Sequence, residues 1–211
     1  MEYAYFAIAV LAAYLIGSLS FAVIISRLMG LNDPRSYGSK NPGATNVLRS
    51  GNKAAAVLTL LLDGVKGWLP MALVMWFGKD YGLREGTLAA VGLAAFIGHL
   101  YPVFFGFQGG KGVATAAGVL FGVHWVLGLA TLATWVIVAF FSRYSSLAAL
   151  ACALFAPWYY LLGDRSFWYV DKMMALAIVT MSAFLVYRHR DNINKLFKGT
   201  ESKLGAKKKG H

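Results

Sequence analysis

"GVATAAGVLFGVHWVLGLATLATWVIVAFFS", residues 112–142, is a run of 31 residues without one formally charged side chain. As a single helix it would rise roughly 46 Å, half as long again as an apolar bilayer core of about 30 Å. It is therefore either one overlong helix or two short spans hinged near His124–Trp125. The number of crossings, and with it the side on which every loop lies, turns on that choice.

The rest of the chain sets the context. Of 211 residues, 58% are apolar, and further apolar runs recur at about 3–26, 54–78, 86–105, 144–162 and 170–187. This is the composition of a polytopic membrane protein and excludes a soluble core. The first run follows Glu2 rather than a basic leader, so it reads as a retained span. The net charge of +11 sits mostly in loops between apolar runs, where the bias of cytoplasmic loops toward cations explains it, and no nucleic-acid partner is expected. Cys152, the one cysteine, excludes an intramolecular disulfide framework and a Cys-based zinc site; its plain reading is a small buried hydrophobe.

Charge asymmetry decides the opening question. The loop 27–53 carries Arg27, Arg35, Lys40, Arg49 and Lys53, and the segment from 188 onward carries Arg188, Arg190, Lys195, Lys198, Lys203, Lys207, Lys208 and Lys209. Both belong in the cytoplasm by the positive-inside rule. An even number of crossings must separate them, so 112–142 is expected to cross twice. The expectation is an all-α integral membrane protein of seven transmembrane helices, some short, with the N-terminus outside and the C-terminus cytoplasmic. Residues 1–201 form a single domain on this reading, and 202–211 a basic, disordered tail.

Three polar, glycine-punctuated segments then share the cytoplasmic face: "GSKNPGATNVLRSGNK" at 38–53, "GFQGGKGVAT" at 106–115 and "YRHRDNINKLFKGTE" at 187–201. Irregular backbone at a membrane is tolerated where it is buried in protein or lines a polar cavity, so the three suggest one pocket. Gly109, Gly110 and Gly112 leave backbone N–H groups unshielded, Lys111 adds a point cation, and a helix start after them presents its positive end, a combination suited to phosphate. A Walker A loop is excluded, because the glycine spacing is wrong and Gly112 stands where a hydroxyl residue belongs. In the first loop, Ser39, Asn41, Thr45 and Asn46 offer neutral hydrogen-bonding groups. Arg49 offers a planar fork for a phosphate, while Lys40 and Lys53 read as solvated topology signals. His189 and Asn192 stand three apart and face the same way. His189 suits a base, a neutral donor or a cation, and at least one of its neighbours Arg188 and Arg190 reads as a headgroup anchor.

Charges inside a span are costly and often functional. Asp63 and Lys66 either pair with each other or place Lys66 at the inner cavity with Asp63 orienting a donor. His99, at the inner end of its run, either faces the same cavity or is a satisfied interfacial histidine.

"GSKNPGATNVLR", "LDGVKG", "GHLYPVFFGFQGGKGVAT" and "YRHRDNINKLFKGTE", in that order, resemble the bacterial acyl-phosphate:glycerol-3-phosphate acyltransferases, the PlsY family. The resemblance runs from about Tyr14 to Glu201. It implies a seven-helix enzyme of the bacterial inner membrane, with its site at the cytoplasmic face, that moves a fatty acyl group from acyl phosphate to position 1 of glycerol 3-phosphate. Lysophosphatidic acid and inorganic phosphate would be the products. By the same resemblance the first motif is Ser39 through Arg49, the glycine loop is Gly109–Gly112 with Lys111, the last motif is His189, Asn192 and Glu201, and Ser146 is a further substrate-contacting position.

The chemistry suits these residue types. An acyl phosphate is a mixed anhydride, so the catalyst has to neutralise two phosphates and align a primary hydroxyl with the carbonyl carbon. Arg49, Lys111, Ser146, His189 and Asn192 are the expected phosphate pocket. The hydroxyl proton passes either to a substrate phosphate oxygen or to His189. No histidine is followed by aspartate at the spacing of the HX4D acyltransferases: Phe104, Leu129 and Asn194 stand there after His99, His124 and His189. No carboxylate cluster has metal spacing, so a metal-independent enzyme is expected. No cofactor is expected either, the chain reads as a monomer, and its partners are the two substrates and membrane lipid.

Overall fold

The computed structural model describes residues 1–205. Its helices are α1 (Glu2–Gly17), α2 (Phe21–Leu28), α3 (Ala44–Leu48), α4 (Lys53–Phe77), α5 (Glu85–Leu100), α6 (Val113–Val123), α7 (Trp125–Ser142), α8 (Ser145–Leu162), α9 (Lys172–Arg188) and α10 (Arg190–Phe197), with 3-10 turns at Gly78–Tyr81 and Val103–Phe105.

The run 112–142 divides at His124, as the two-span alternative requires. The His124 backbone is extended (φ −163°, ψ 138°), and its Nδ1 accepts from Val126 N at 3.2 Å, capping α7. The two helices fold back on each other, so that Gly128 lies against the ring of Phe121. Helix α6 runs alongside α4 in the same direction, since Gly118 meets the Gly64 carbonyl and Gly122 meets Met71. Small residues let these two backbones approach closely. With 11 residues, α6 rises only about 16 Å.

The first run departs from the single helix expected over 3–26. It bends by 46° between α1 and α2. Ser18 Oγ donates back to Tyr14 O at 2.8 Å, and the Leu19 carbonyl, released from the helical ladder, accepts from Lys66 Nζ at 2.7 Å. A buried ammonium thus fixes the kink from another helix.

By length and composition, the stretches Lys53–Tyr81, Gly86–Phe105, Trp125–Ser142 and Ser145–Leu162 can each cross a bilayer, and the bent α1–α2 pair makes a fifth. Their outward faces are apolar: Ile8 and Leu11 on α1, Leu61 and Trp76 on α4, Ile137 and Phe140 on α7, Leu154 and Trp158 on α8 are exposed. Facing inward are Phe96, Leu100, Val119, Leu127 and Ile178, all buried. The segments that carry Ser39, Lys111, Ser146 and His189 gather at one end, where α3, the loops before it and before α6, the start of α8 and the junction of α9 with α10 converge.

Candidate active site

The loop before α3 is held by one side chain. Asn46, buried, accepts from Ser39 N at 3.0 Å and donates to Pro34 O at 2.6 Å and Tyr37 O at 3.1 Å. Its amide is the pin that curls residues 34–46, which leaves Ser39, Asn41 and Thr45 lining a cavity. Asn52 caps α4 by accepting from Ala55 N at 2.9 Å. The Asn46 bonds on one side and the Asn52 cap on the other hold α3 and, at its C-terminal end, Arg49, whose guanidinium reaches the cavity rim and donates to Ser202 Oγ at 2.5 Å.

The glycine loop is braced from α9. Arg188 donates to Gly109 O at 2.8 Å and to Gly110 O at 3.0 Å, and its guanidinium lies 5.8 Å from the centre of the Tyr101 ring. Gly112 adopts φ +86°, a left-handed conformation in which a side chain would also strike Phe96. That turn aims Lys111 inward. Its ammonium donates to Asn192 Oδ1, and burial pulls its pKa down to about 8, Glu201 nearby pushing the other way.

Glu201 draws the last side of the site together. Its Oε1 accepts from Ser146 Oγ at 2.6 Å and from Asn192 Nδ2 at 2.7 Å. His189, buried just past the end of α9, donates through Nδ1 to Leu185 O at 2.8 Å, which leaves Nε2 as an acceptor. Burial, with the Lys111 charge beside it, lowers its pKa to about 4, so the ring is neutral near pH 7.

These groups face one cavity of about 410 Å³. Ser39, Asn41, Thr45, Asn46, Arg49, Lys111, Gly112, Ser146, His189, Asn192 and Glu201 line its polar end, and Leu120, Trp135, Ala153, Ala156, Ile178 and Met181 line the rest. A compartment with cations at one end and an apolar sleeve among helices at the other fits an anion that carries a long apolar tail.

A model of the family described as glycerol-3-phosphate acyltransferase matches residues 7–199. The chain belongs to that family. The glycerol-3-phosphate acyltransferase of Albidiferax ferrireducens is 66% identical over 199 residues, covering 94% of this chain and 89% of the relative. That of Paraburkholderia phytofirmans is 62% identical, covering 96% and 92%. Two crystal structures of PlsY (YgiH), an integral membrane glycerol 3-phosphate acyltransferase, share the fold of this family member. The glycerol 3-phosphate form superposes with a TM-score of 0.86 at 38% identity, covering 95% of this chain and 96% of that one. The lysophosphatidic acid form does so with 0.84 at 37%, covering 95% of each. The chain is thus an all-helical integral membrane protein of the acyltransferase family.

Against that family frame, the placement of individual residues differs from the sequence reading in three ways. Lys66 stands apart from the cavity. Its Nζ lies 2.8 Å from Asp63 Oδ1 and donates to the Leu19 carbonyl, so the pairing alternative describes it. Gly109 and Gly110 lie behind the wall, their carbonyls engaged by Arg188, while Gly112 lines the cavity. Arg188, one of the two cations that flank His189, turns inward to the glycine loop. The second, Arg190, turns outward over the Tyr187 ring and donates to Tyr187 Oη at 2.7 Å.

The tail also begins differently. Ser202 is bonded to Arg49, Leu204 N donates to Arg143 O at 2.7 Å, and Arg143 Nη2 donates back to Leu204 O at 3.1 Å. Lys207, Lys208 and Lys209 lie outside the described residues.

Proposed function

We propose that this chain transfers a fatty acyl group from an acyl phosphate to the 1-hydroxyl of glycerol 3-phosphate, releasing lysophosphatidic acid and inorganic phosphate in the first acylation of phospholipid synthesis. The observation that carries this reading is the single cavity with Arg49 and Lys111 at its polar end and an apolar sleeve between α7, α8 and α9. Both substrates are phosphate anions and one has a long tail, so the cavity's two ends match the two halves of the reactants.

Arg49 and Lys111 neutralise the phosphates. Ser39, Asn41, Thr45 and Ser146 supply neutral hydrogen bonds, and Gly109 and Gly110 set the loop that carries Lys111. Glu201 orients Ser146 and Asn192. The 1-hydroxyl oxygen attacks the carbonyl carbon, the ester C–O bond forms, and the bond from the carbonyl carbon to the phosphate oxygen breaks with phosphate as leaving group. The hydroxyl proton passes to an oxygen of the departing phosphate. His189, with a pKa of about 4, is too weak a base to hold that proton near pH 7. Its Nε2 instead accepts a hydrogen bond from the protonated phosphate or the glycerol. No metal, cofactor or protein nucleophile takes part.

In the same reading the chain crosses the bacterial inner membrane seven times as a monomer, with the N-terminus outside and the site at the cytoplasmic face. Residues 1–201 form one domain with the basic tail beyond it. Two short crossings by α6 and α7 supply the even count that the basic loops demand.

Purified protein offered glycerol 3-phosphate with either palmitoyl phosphate or palmitoyl-CoA tests the reaction. Lysophosphatidic acid and phosphate are expected from palmitoyl phosphate alone. Product from the thioester only, or from neither donor in folded protein, overturns it. Labelling of Asp80→Cys and Thr200→Cys, each in a Cys152→Ala background, with an impermeant thiol reagent tests the sidedness. Asp80→Cys is expected to react from outside intact cells and Thr200→Cys only after lysis.

A further inference from the structure

Asp63 and Lys66 form an ion pair 2.8 Å long in α4, with side chains 4% and 2% exposed. An ion pair at that depth costs more in desolvation than it returns unless its groups are otherwise engaged. Lys66 is fully engaged by Asp63, the Leu19 carbonyl and the face of Phe21, 5.7 Å from its ring centre. Asp63 has a second neighbour, His99 of α5, whose Nδ1 lies 3.7 Å from Asp63 Oδ1. Both Asp63 and His99 reach the same cavity as Lys111.

The other edge of the His99 ring is pressed against Gly110. A Cβ at position 110 would overlap His99 Nε2 on one side and come within 2.7 Å of the Pro42 carbonyl on the other. Gly110 N donates to the His99 carbonyl at 3.1 Å. Gly110 is therefore seated between α5 and the loop that precedes α3, and the next residue is Lys111. A run of contacts joins the ion pair inside α4 to both phosphate-facing loops.

We propose that His99, faced by Asp63, is a positioning residue that, with Arg188 on the other side, fixes the glycine loop and so the Lys111 ammonium. The inference rests on the reading of this cavity as the place of acyl transfer. A loop with glycine at 106, 109, 110 and 112 has no stiffness of its own, and lysine adds a flexible four-carbon stem. The place of the ammonium is then set by what the loop is pressed against. Asp63 Oδ1 faces the Nδ1 edge at 3.7 Å, beyond hydrogen-bond distance, and the Nε2 edge is the face that meets Gly110. Lys66 pairs with Asp63 from within α4 without entering the cavity.

The test is steady-state kinetics on His99→Gln, His99→Asn and His99→Ala, each shown to melt within a few degrees of the parent in detergent. Glutamine carries an amide to the place of Nε2 and refills the contact with Gly110, whereas asparagine reaches only the place of Nδ1. His99→Asn and His99→Ala are expected to lose about tenfold to a hundredfold in kcat/KM, the scale of an ångström-sized misplacement, and His99→Gln less than about threefold. In the two impaired variants the alkaline fall of kcat/KM moves to higher pH, because a loosened Lys111 regains water. Equal activity of the asparagine and glutamine variants, or an unmoved alkaline fall, overturns the proposal.

If His99→Asn fails to fold, the pair Asp63→Asn with Lys66→Met removes both buried charges together and is expected to reproduce its effect. A parent without turnover sinks the functional reading instead. Positioning is then read from amide exchange at Gly110, which is faster in His99→Asn than in His99→Gln if the proposal holds and equal in both if it fails.

Discussion

Ser146 Oγ donates to Glu201 Oε1 at 2.6 Å across a sequence separation of 55 residues. The same oxygen takes the Asn192 amide, and Asn192 Oδ1 takes the Lys111 ammonium. One carboxylate therefore sets the direction of three groups that face the polar end of the cavity. Glu201→Ala is expected to lower kcat/KM by about tenfold to a hundredfold, since Ser146 and Asn192 lose their shared acceptor and Lys111 the amide that Glu201 aligns for it. Glu201→Gln keeps an oxygen there and retains more activity. Steady-state assays with both substrates check the order, and an alanine variant as active as the parent would remove Glu201 from the site.

The Lys111 pKa near 8 lies below the usual lysine value, and kcat/KM reports ionisation of the free enzyme. As pH rises through about 8 the ammonium is lost, and kcat/KM for glycerol 3-phosphate is expected to fall with it. Lys111→Arg stays charged, so its profile loses that limb. Glu201→Gln takes away a nearby negative charge that favours the ammonium, so its limb moves to lower pH. A parent profile flat from pH 7 to 9.5 would contradict the assignment.

His189 is held below its ordinary pKa by burial and by the Lys111 charge. Between about pH 4 and 6.5 the unfolded chain binds a proton that the folded chain excludes, so stability rises with pH across that window and is fully present above it. The contribution is on the order of 3 kcal/mol. Thermal melts of the detergent-solubilised protein are expected to show lower Tm as pH falls from 6.5 toward 4, and His189→Gln to flatten that slope. Parallel slopes for parent and variant would place the effect elsewhere.

Along α8, the distance from Ser146 at the polar end to Ala156 in the sleeve is ten residues, a rise of roughly 15 Å. Ala156 is 4% exposed and lines the cavity, as do Leu120 and Ile178. Ala156→Phe fills the sleeve and is expected to shift preference toward shorter donors, cutting kcat/KM for palmitoyl phosphate at least about tenfold relative to decanoyl phosphate. Side-by-side assays with both donors decide it. An unchanged ratio would mean that the chain lies along another wall.

The helical plan was legible in the sequence because it follows from apolar run lengths and from the placement of cations. His124 could be found as a hinge because 31 uncharged residues are too long for one crossing. The kink at Ser18–Ser20 was not legible: all three residues fit a helix, and what opens it is an ammonium 47 positions away. The candidate site was readable as residue types in three segments, which the fold gathers around one cavity. The division of labour within them was not. Arg188 and Arg190, two residues apart at the junction of α9 and α10, would lie about 160° apart around a helix, and sequence alone does not say which one turns inward. Asn46 has the chemistry of a ligand, yet each end of its amide is taken by backbone.

The contacts of Glu201 with Ser146 and Asn192, and of Ser202 with Arg49, have a meaning for biogenesis. Translation proceeds from the N-terminus, so every helix of this fold has emerged before residue 201 does. A nascent chain already inserted in the bilayer holds the cavity and its cations but lacks the carboxylate that aligns them. On the proposed function, partly made copies are expected to be slowed as Glu201→Ala is, and proteolytic trimming back past Glu201 would return a finished molecule to the same impaired condition.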